Sequence, residues 1–173
     1  MSQPLIMSSR PEAAEMCLAG RKTMTRRIYE PEKKIALYME ETDNHIGDAH
    51  VVYSRDGNGD VRAIWRIGES IAIKPKRTAC AIGRVMCTGL RIEHVQDITE
   101  QDAKREGVDP VSSFAPDGLG RGGEFEYRSF RSGFEAVWRR LNKRGPTSWE
   151  SNPLVVVIEF EPLKEDLTCA SSL

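Results

Sequence analysis

Residues 20–27 read Gly-Arg-Lys-Thr-Met-Thr-Arg-Arg, which places four cationic side chains and two hydroxyls within eight residues. Residues 9–12, Ser-Arg-Pro-Glu, predict the start of a short helix before this stretch, with a serine cap, an early proline and an acid near the positive end of the backbone dipoles. Gly20 can take the left-handed conformation that ends a helix. A basic segment fixed by a helix end can aim Lys22 and Thr25 at a ligand; the simpler alternative is a solvated, charged turn.

The composition is that of one soluble globular domain: the chain has 173 residues, of which 39% are hydrophobic and 29% are charged. Its formal net charge is -1, so a contact with nucleic acid requires a local basic patch rather than the overall field. No apolar run approaches the ~20 residues of a membrane helix, and the N-terminus lacks the features of a signal peptide. The 4 cysteines are scattered and the histidines are not clustered. We therefore expect a cytoplasmic protein with no metal, no cofactor and no membrane contact.

Strand signals recur along the chain. Asp56-Gly57-Asn58-Gly59 is a strong hairpin signal between two apolar runs, because both glycines accept a positive φ. The apolar alternation of residues 83–95 slips at Gly89, which predicts a one-residue bulge in a long strand. Residues 154–160 are nearly all apolar and predict a central strand that is covered on both sides. The remaining strand candidates are residues 5–7, 51–53, 61–65 and 69–74.

Helix signals are fewer. Residues 99–107 begin with a threonine cap and end with a glycine, and residues 130–141 place aromatic and aliphatic side chains at helical spacing. We interpret that stripe as core packing rather than as a stacking platform. Residues 32–41 are interpreted as a marginal helix. Residues 109–126, rich in Gly, Pro, Asp and Ser, predict a flexible loop, and residues 164–173 form a polar tail.

The pattern Gly-x-Lys-x-x-Thr-x-Arg after a short first helix, as at residues 20–27, resembles the signature of the ASCH (activating signal cointegrator homology) domain, a small β-barrel family related to PUA domains. Three further segments resemble, in order, a barrel strand, a short helix and the closing strand of phage and prophage members: residues 68–73, 97–107 and 148–160. The resemblance implies an α+β fold, a small PUA-like, ASCH-type β-barrel with flanking short helices. It also implies a single domain over residues 1–163, with the hairpin around residues 43–65 as an insertion.

Three residues of these segments can carry chemistry. Lys22 and Thr25 lie three residues apart, which brings both side chains to one side of a helix or turn. A lysine accepts a hydroxyl proton only if its amine is partly neutral, so its pKa must fall from the reference value near ~10.4 through burial or nearby cations. Glu106 lies in the last turn of its helix, where the backbone dipoles disfavour a carboxylate, and this placement points to a function. Its position three residues after Ala103, the small apolar residue of that helix, indicates an inward side chain. The alternative is a surface glutamate paired with Lys104 or Arg105.

The resemblance implies roles for the same three residues. A bacterial ASCH-family enzyme that removes the acetyl group from N4-acetylcytidine uses a lysine, a threonine and a glutamate, which match Lys22, Thr25 and Glu106. The implied chemistry is attack of the Thr25 hydroxyl on an amide carbonyl, with Lys22 as base and Glu106 orienting it or relaying protons. Arg26 or backbone amides would meet the oxyanion. This chain is longer than that enzyme, and Arg26 replaces the family isoleucine.

Further ligand-binding candidates come from the basic stretch and from the strand at residues 68–73: Arg21, Thr23, Arg26, Arg27 and Glu69. The expected partner is a nucleoside or a single-stranded nucleic acid, and the oligomeric state is left open. Trp65 and Trp149 fit the capping of open barrel ends better than the stacking of a base. The alternative to an amidohydrolase is a non-catalytic RNA- or single-stranded-DNA-binding module, or a ribonuclease, of phage or prophage origin.

Overall fold

The computed structural model describes residues 2–7, 10, 12–39, 46–116 and 124–163, except for the side chains of residues 112–116 and 124–127. The predicted helix start at residues 9 and 11 and the predicted polar tail lie outside this part. In chain order the elements are β1 (Leu5–Ile6), α1 (Glu12–Leu18), β2 (Met24–Ile28), β3 (Lys34–Tyr38), β4 (Gly47–Arg55), β5 (Val61–Arg66), β6 (Ser70–Lys74), β7 (Gly83–His94), a 3-10 turn (Val95–Asp97), α2 (Glu100–Arg105), β8 (Val111–Pro116), β9 (Glu124–Ser129), α3 (Phe130–Leu141) and β10 (Leu154–Pro162).

Eight of these strands form one mixed sheet, with a main path in the order β1-β6-β7-β10-β2. Strand β4 also pairs with β7, and it carries β3 and β5 on its own two edges. Strands β8 and β9 form a separate two-stranded ribbon. The predicted α+β class is confirmed. Strands β1 and β2 end the main path, and no backbone pairing between described residues joins them, so the sheet is open over this part of the chain.

The long strand β7 contains the predicted bulge. Gly89 pairs with Glu159, whereas the next pair along β10 joins Phe160 to Cys87, so Thr88 is the extra residue. The bulge changes which side chains face the core, because side chains alternate across a sheet. Apolar residues on both sides of the slip are therefore buried: Val85, Cys87, Leu90 and Ile92.

Strand β10 is central, as its apolar sequence predicts, because β7 and β2 pair with its two edges. Its two faces pack into different cores. Val156 and Ile158 belong to a core that includes the buried face of α1. Val155 and Val157 belong to a second core with α2 and the aromatic residues of α3. A strand covered on both faces has no solvent-facing positions, which explains the continuous apolar run.

Two local predictions are wrong. Residues 32–41 are interpreted as a marginal helix, but β3 occupies residues 34–38 and pairs with β4 through Ala36 and Val52. Pairing with a neighbouring strand outweighs weak helix propensity here. Residues 109–126 are predicted as a loop, but β8 and the start of β9 lie within them. The four glycines behind that prediction all fall in residues 117–123, outside the described part.

The predicted hairpin is confirmed. Strands β4 and β5 pair in antiparallel fashion on either side of the Asp56–Gly59 turn, and Gly59 has a φ of 91°, a conformation that favours glycine. Helix α2 is confirmed with both of its caps: the Thr99 side chain accepts a hydrogen bond from the Asp102 amide, and Gly107 has a φ of 72°. These caps fix the position of Glu106, the residue that ends the helix.

Candidate functional site

Strand β2 positions the site. Among the described strands it pairs only with β10, so its other edge is free. Side chains alternate along a strand: Arg27 reaches the Ile6 carbonyl on the α1 side, and Arg26 lies over the Phe134 ring on the α3 side. Because the edge is free, residues from both faces of β2 reach one cavity of about 330 Å³.

This cavity contains several of the predicted site residues. Its polar part comes from the basic stretch, from the end of α2 and from the chain before α1, and its apolar part comes mainly from α3. The lining residues are Ile6, Met7, Arg10, Ala13, Lys22, Thr25, Arg26, Arg27, Ile28, Glu106, Val108, Phe134, Val137, Trp138, Leu141 and Asn142.

Lys22 and Glu106 form a buried ion pair. The Lys22 Nζ donates to Glu106 Oε2 at 2.6 Å and to the Glu106 carbonyl at 2.8 Å, and each side chain is only 6% exposed. The contact depends on two helix ends, because Lys22 follows the end of α1 and Glu106 ends α2. A Cβ at Gly107 would lie 3.1 Å from the Lys22 Cβ and closer still to Met16, so a glycine permits the close approach of these two ends.

The guanidinium of Arg26 is fully occupied by protein groups. Its Nε and Nη2 donate to Glu93, at 3.1 and 2.6 Å, and Nη2 also donates to Asp102 at 3.3 Å. Its Nη1 donates to Glu106 at 3.2 Å and to the Met24 sulfur. All five donors of an arginine thus have acceptors. Arg26 therefore holds Glu106 in place, and the prediction that it meets an oxyanion does not fit this geometry.

Arg26 and Glu106 belong to a larger ion-pair network that runs from the cavity to the partly exposed face of the sheet. Arg91 contacts Glu93, Asp102 and Glu159, and Arg105 contacts Asp102 and Glu159. The network comprises Lys22, Arg26, Arg91 and Arg105 with Glu93, Asp102, Glu106 and Glu159. Its four cations and four carboxylates balance each other in charge.

Thr25 pairs with Arg27 instead of Lys22. The Arg27 Nη1 donates to Thr25 Oγ1 at 3.0 Å, and Thr25 is 2% exposed. Where the chain is described, no hydrogen bond joins Lys22 Nζ to Thr25 Oγ1, so the predicted direct contact is absent. The cavity thus contains two pairs, Lys22 with Glu106 and Thr25 with Arg27. A proton from Thr25 would reach the neutral amine of Lys22 through a bound water or substrate group, or after the Lys22 side chain moves.

The pKa values of the buried groups depart from their ordinary values. Burial lowers the pKa of Lys22, although the Glu106 carboxylate acts in the opposite direction. Burial acts to raise the pKa of Glu106, but the charges of Lys22 and Arg26 outweigh burial, so that pKa lies below its ordinary 4.5. Burial also lowers the pKa of Arg27. A lysine whose pKa is lowered is better suited to act as a base near neutral pH.

The lowered pKa of Glu106 predicts a pH-dependent contribution to stability. A carboxyl whose pKa is lower in the folded state adds stability above its ordinary 4.5 and loses it as the pH falls through the folded pKa. We expect urea unfolding to show a difference in stability between wild type and Glu106→Gln that is largest near neutral pH and narrows as the pH falls below 4.5. A gap that stays constant with pH would contradict an ionised, ion-paired Glu106.

The structure does not bring three of the predicted ligand-binding residues to the cavity. Arg21 is exposed. The Thr23 hydroxyl accepts a hydrogen bond from Arg105 Nε at 3.3 Å, and Glu69 pairs with Arg66 at 3.4 Å on the surface. None of the three lines the cavity.

The two tryptophans considered for stacking are also elsewhere. Trp65 is 4% exposed and donates to the Gln3 carbonyl. Trp149 is 6% exposed and packs against Phe134, with ring centroids 6.3 Å apart. Both side chains therefore have structural partners, and neither lines the cavity.

The apolar wall of the cavity was not predicted as part of a site. Phe134 and Trp138 belong to the second core, as the core interpretation of α3 expects, but they also line the cavity together with Val137 and Leu141. The structure shows this second role at the end of the apolar stripe of α3: Leu141 continues the apolar face, but its side chain is 48% exposed. One helix face therefore serves both the core and the cavity.

Among the described residues, no group of three or more His, Cys, Asp or Glu side chains is arranged to hold a metal ion. In the same part of the chain, every helix is too short or too polar to cross a bilayer.

A scan against protein-family models finds no match to this chain, and a search of curated proteins finds none either. Among solved structures, the crystal structure of protein EF3133 from Enterococcus faecalis V583, with family model DUF984, is similar to this chain at 12% sequence identity and a TM-score of 0.47. The similarity covers 94% of this chain and 82% of that chain.

Proposed function

We propose that this protein is an ASCH-type, PUA-like amidohydrolase that binds a nucleobase in the cavity beside β2 and hydrolyses the amide of an N4-acetylcytidine-like nucleoside. One observation carries the proposal. The three residues that match the catalytic residues of the ASCH-family enzyme line one cavity: Lys22 and Thr25 from the basic stretch, and Glu106 from a distant part of the chain. They are also buried, with exposed fractions of 5%, 2% and 6%. Burial of a lysine and a glutamate costs solvation free energy, so such residues are rarely buried.

The proposed reaction begins at Thr25. Its hydroxyl oxygen attacks the amide carbonyl carbon, the hydroxyl proton passes to the neutral amine of Lys22, and a tetrahedral oxyanion forms. Lys22 then returns a proton to the leaving amine as the carbon–nitrogen bond breaks, which leaves the acyl group on Thr25 as an ester. Water hydrolyses that ester and restores the hydroxyl.

The neighbouring charges assist these steps. Glu106 accepts a hydrogen bond from Lys22 at 2.6 Å, so it can orient the base. Arg27 donates a hydrogen bond to Thr25 Oγ1 at 3.0 Å, so it can hold the attacking hydroxyl in place. The burial that lowers the pKa of Lys22 makes its neutral form more accessible.

The rest of the cavity suits a planar base. Its volume of about 330 Å³ lies at the lower end of the range for small-molecule sites. Helix α3 gives the cavity an apolar wall of Phe134, Val137, Trp138 and Leu141. Sites of this kind combine an apolar lining with a few polar groups that orient the ligand.

Incubation of the protein with N4-acetylcytidine, followed by ultraviolet absorbance, tests the proposal. We expect turnover by wild type, a loss of at least about 100-fold in Thr25→Ala, as for removal of a positioned catalytic group, and retained activity in Thr25→Ser. Absence of turnover in wild type, or undiminished turnover in Thr25→Ala, would contradict the proposal. Binding of nucleoside without product would favour the non-catalytic module.

A further inference from the structure

Arg27 lines the same cavity but is not part of the ion-pair network. Each of the four carboxylates of the network forms an ion pair with one of its four cations. In the described part of the chain, no carboxylate lies within ion-pair distance of the Arg27 guanidinium. Its contacts are neutral: the Thr25 hydroxyl at 3.0 Å, the Arg26 carbonyl at 3.1 Å and the Ile6 carbonyl at 3.1 Å. The charge of Arg27 is therefore held in place without a paired carboxylate, and the Glu106 charge acts on it only from beyond ion-pair distance.

Arg27 is partly buried, and a guanidinium without a paired anion loses solvation free energy on burial, because a cation loses water contacts that no anion replaces. Burial lowers the pKa of Arg27 accordingly. A residue placed against its electrostatic preference in a cavity indicates a ligand that supplies what is missing. Here the missing group is an anion.

A second cation lies on the same wall of the cavity. Arg10 lines the cavity, and its backbone amide bonds the Met7 carbonyl, next to the Ile6 carbonyl that Arg27 contacts. Its side chain is 21% exposed and pairs with Glu12, which is 61% exposed. A pair of this exposure is weak, so the Arg10 guanidinium is available to a ligand at modest cost.

We propose that Arg27 and Arg10 form an anion-binding subsite for a phosphate group, so that the cavity takes a pyrimidine nucleotide rather than an uncharged nucleoside. Arginine suits this group because its planar fork matches phosphate oxygens and keeps its charge. The base would lie toward the apolar wall of α3 and the phosphate toward Arg10 at the other wall. The inference deepens the proposed function and rests on its site, but not on hydrolysis.

Binding of product-form ligands tests the subsite without any reaction. Isothermal titration of wild type with cytidine 5'-monophosphate and with cytidine should show at least about tenfold tighter binding of the nucleotide, as one charge-assisted contact implies. The ratio of the two affinities, nucleotide over nucleoside, should fall toward one in Arg27→Gln and in Arg10→Gln. Arg66→Gln, which alters an exposed arginine paired with Glu69, should leave it unchanged.

Thermal unfolding gives a second readout. A ligand that binds the folded state raises the midpoint temperature of unfolding. Cytidine 5'-monophosphate should therefore raise this midpoint in wild type, and raise it less in Arg27→Gln. Chloride at matched ionic strength is the control. Equal affinity for cytidine and its monophosphate, no binding of either, or an unchanged preference in both arginine variants would overturn the proposal. Inorganic phosphate that shifts the midpoint as far as the nucleotide would overturn the nucleotide assignment. None of these results depends on turnover of N4-acetylcytidine.

Discussion

Replacement of Glu106 with alanine is expected to lower the free energy of unfolding by about 3–5 kcal/mol, the range for removal of one partner of a buried ion pair. Lys22 would lose its only carboxylate partner in the described structure, at 2.6 Å, and Arg26 would lose one of three. Both cations are nearly inaccessible to water, with side chains 6% and 1% exposed. Urea unfolding near neutral pH measures the loss.

The matched control is Glu30→Ala. Glu30 pairs with Lys33 at 2.7 Å, nearly the same distance, but the two side chains are 42% and 68% exposed. An exposed pair contributes about 0–1 kcal/mol, so this variant should lose little stability. A double variant, Lys22→Met with Glu106→Ala, should recover part of the loss, because it removes the stranded ammonium and leaves Arg26 with Glu93 and Asp102. A loss in Glu106→Ala no greater than in Glu30→Ala would contradict the buried pair.

Local sequence signals predicted much of what positions this pair. The end of α1 at Gly20, the caps of α2 and the central strand β10 each have a signal within a few residues: a glycine that accepts a positive φ, a threonine before an acidic turn, and an unbroken apolar run. The inward direction of Glu106 was indicated by its position three residues after Ala103, and both residues are buried. Such features are set by neighbours in the chain, so the sequence contains them.

Features set by distant contacts could not be predicted in the same way. Whether Arg26 or Arg27 is available to a ligand depends on Glu93 and Asp102, which lie 67 and 76 residues away from Arg26. Adjacent residues of a strand face opposite sides, so the choice between these two arginines follows from the position of β2 at a sheet edge. Strand β3 likewise depends on its pairing with β4, which outweighs local propensity.

The position of α3 also depends on residues distant in the chain. Replacement of Gly133 with alanine is expected to shift this helix strongly. Alanine normally stabilises a helix interior relative to glycine by about 0.5–1 kcal/mol. At Gly133, however, an added Cβ would lie 3.2 Å from the Asp109 carbonyl carbon and far inside contact distance of its oxygen. Backbone cannot rotate away as a flexible side chain can, so α3 must shift. We expect a net loss of about 1–3 kcal/mol or more, as for an overpacked core, in urea unfolding.

Gly57→Ala is the control for this change. A Cβ at Gly57 meets no atom within 4 Å, and the backbone there is not in the positive-φ region. The stability of this variant should stay close to that of wild type. The loss in Gly133→Ala should also reach the cavity, because the neighbouring Phe134 lines it and supports Arg26, whose guanidinium carbon lies 5.6 Å from the Phe134 ring centroid. Affinity for cytidine 5'-monophosphate should therefore fall in Gly133→Ala and not in Gly57→Ala. Unchanged or increased stability in Gly133→Ala would show that α3 does not pack against residues 109–110 as closely as the structure requires.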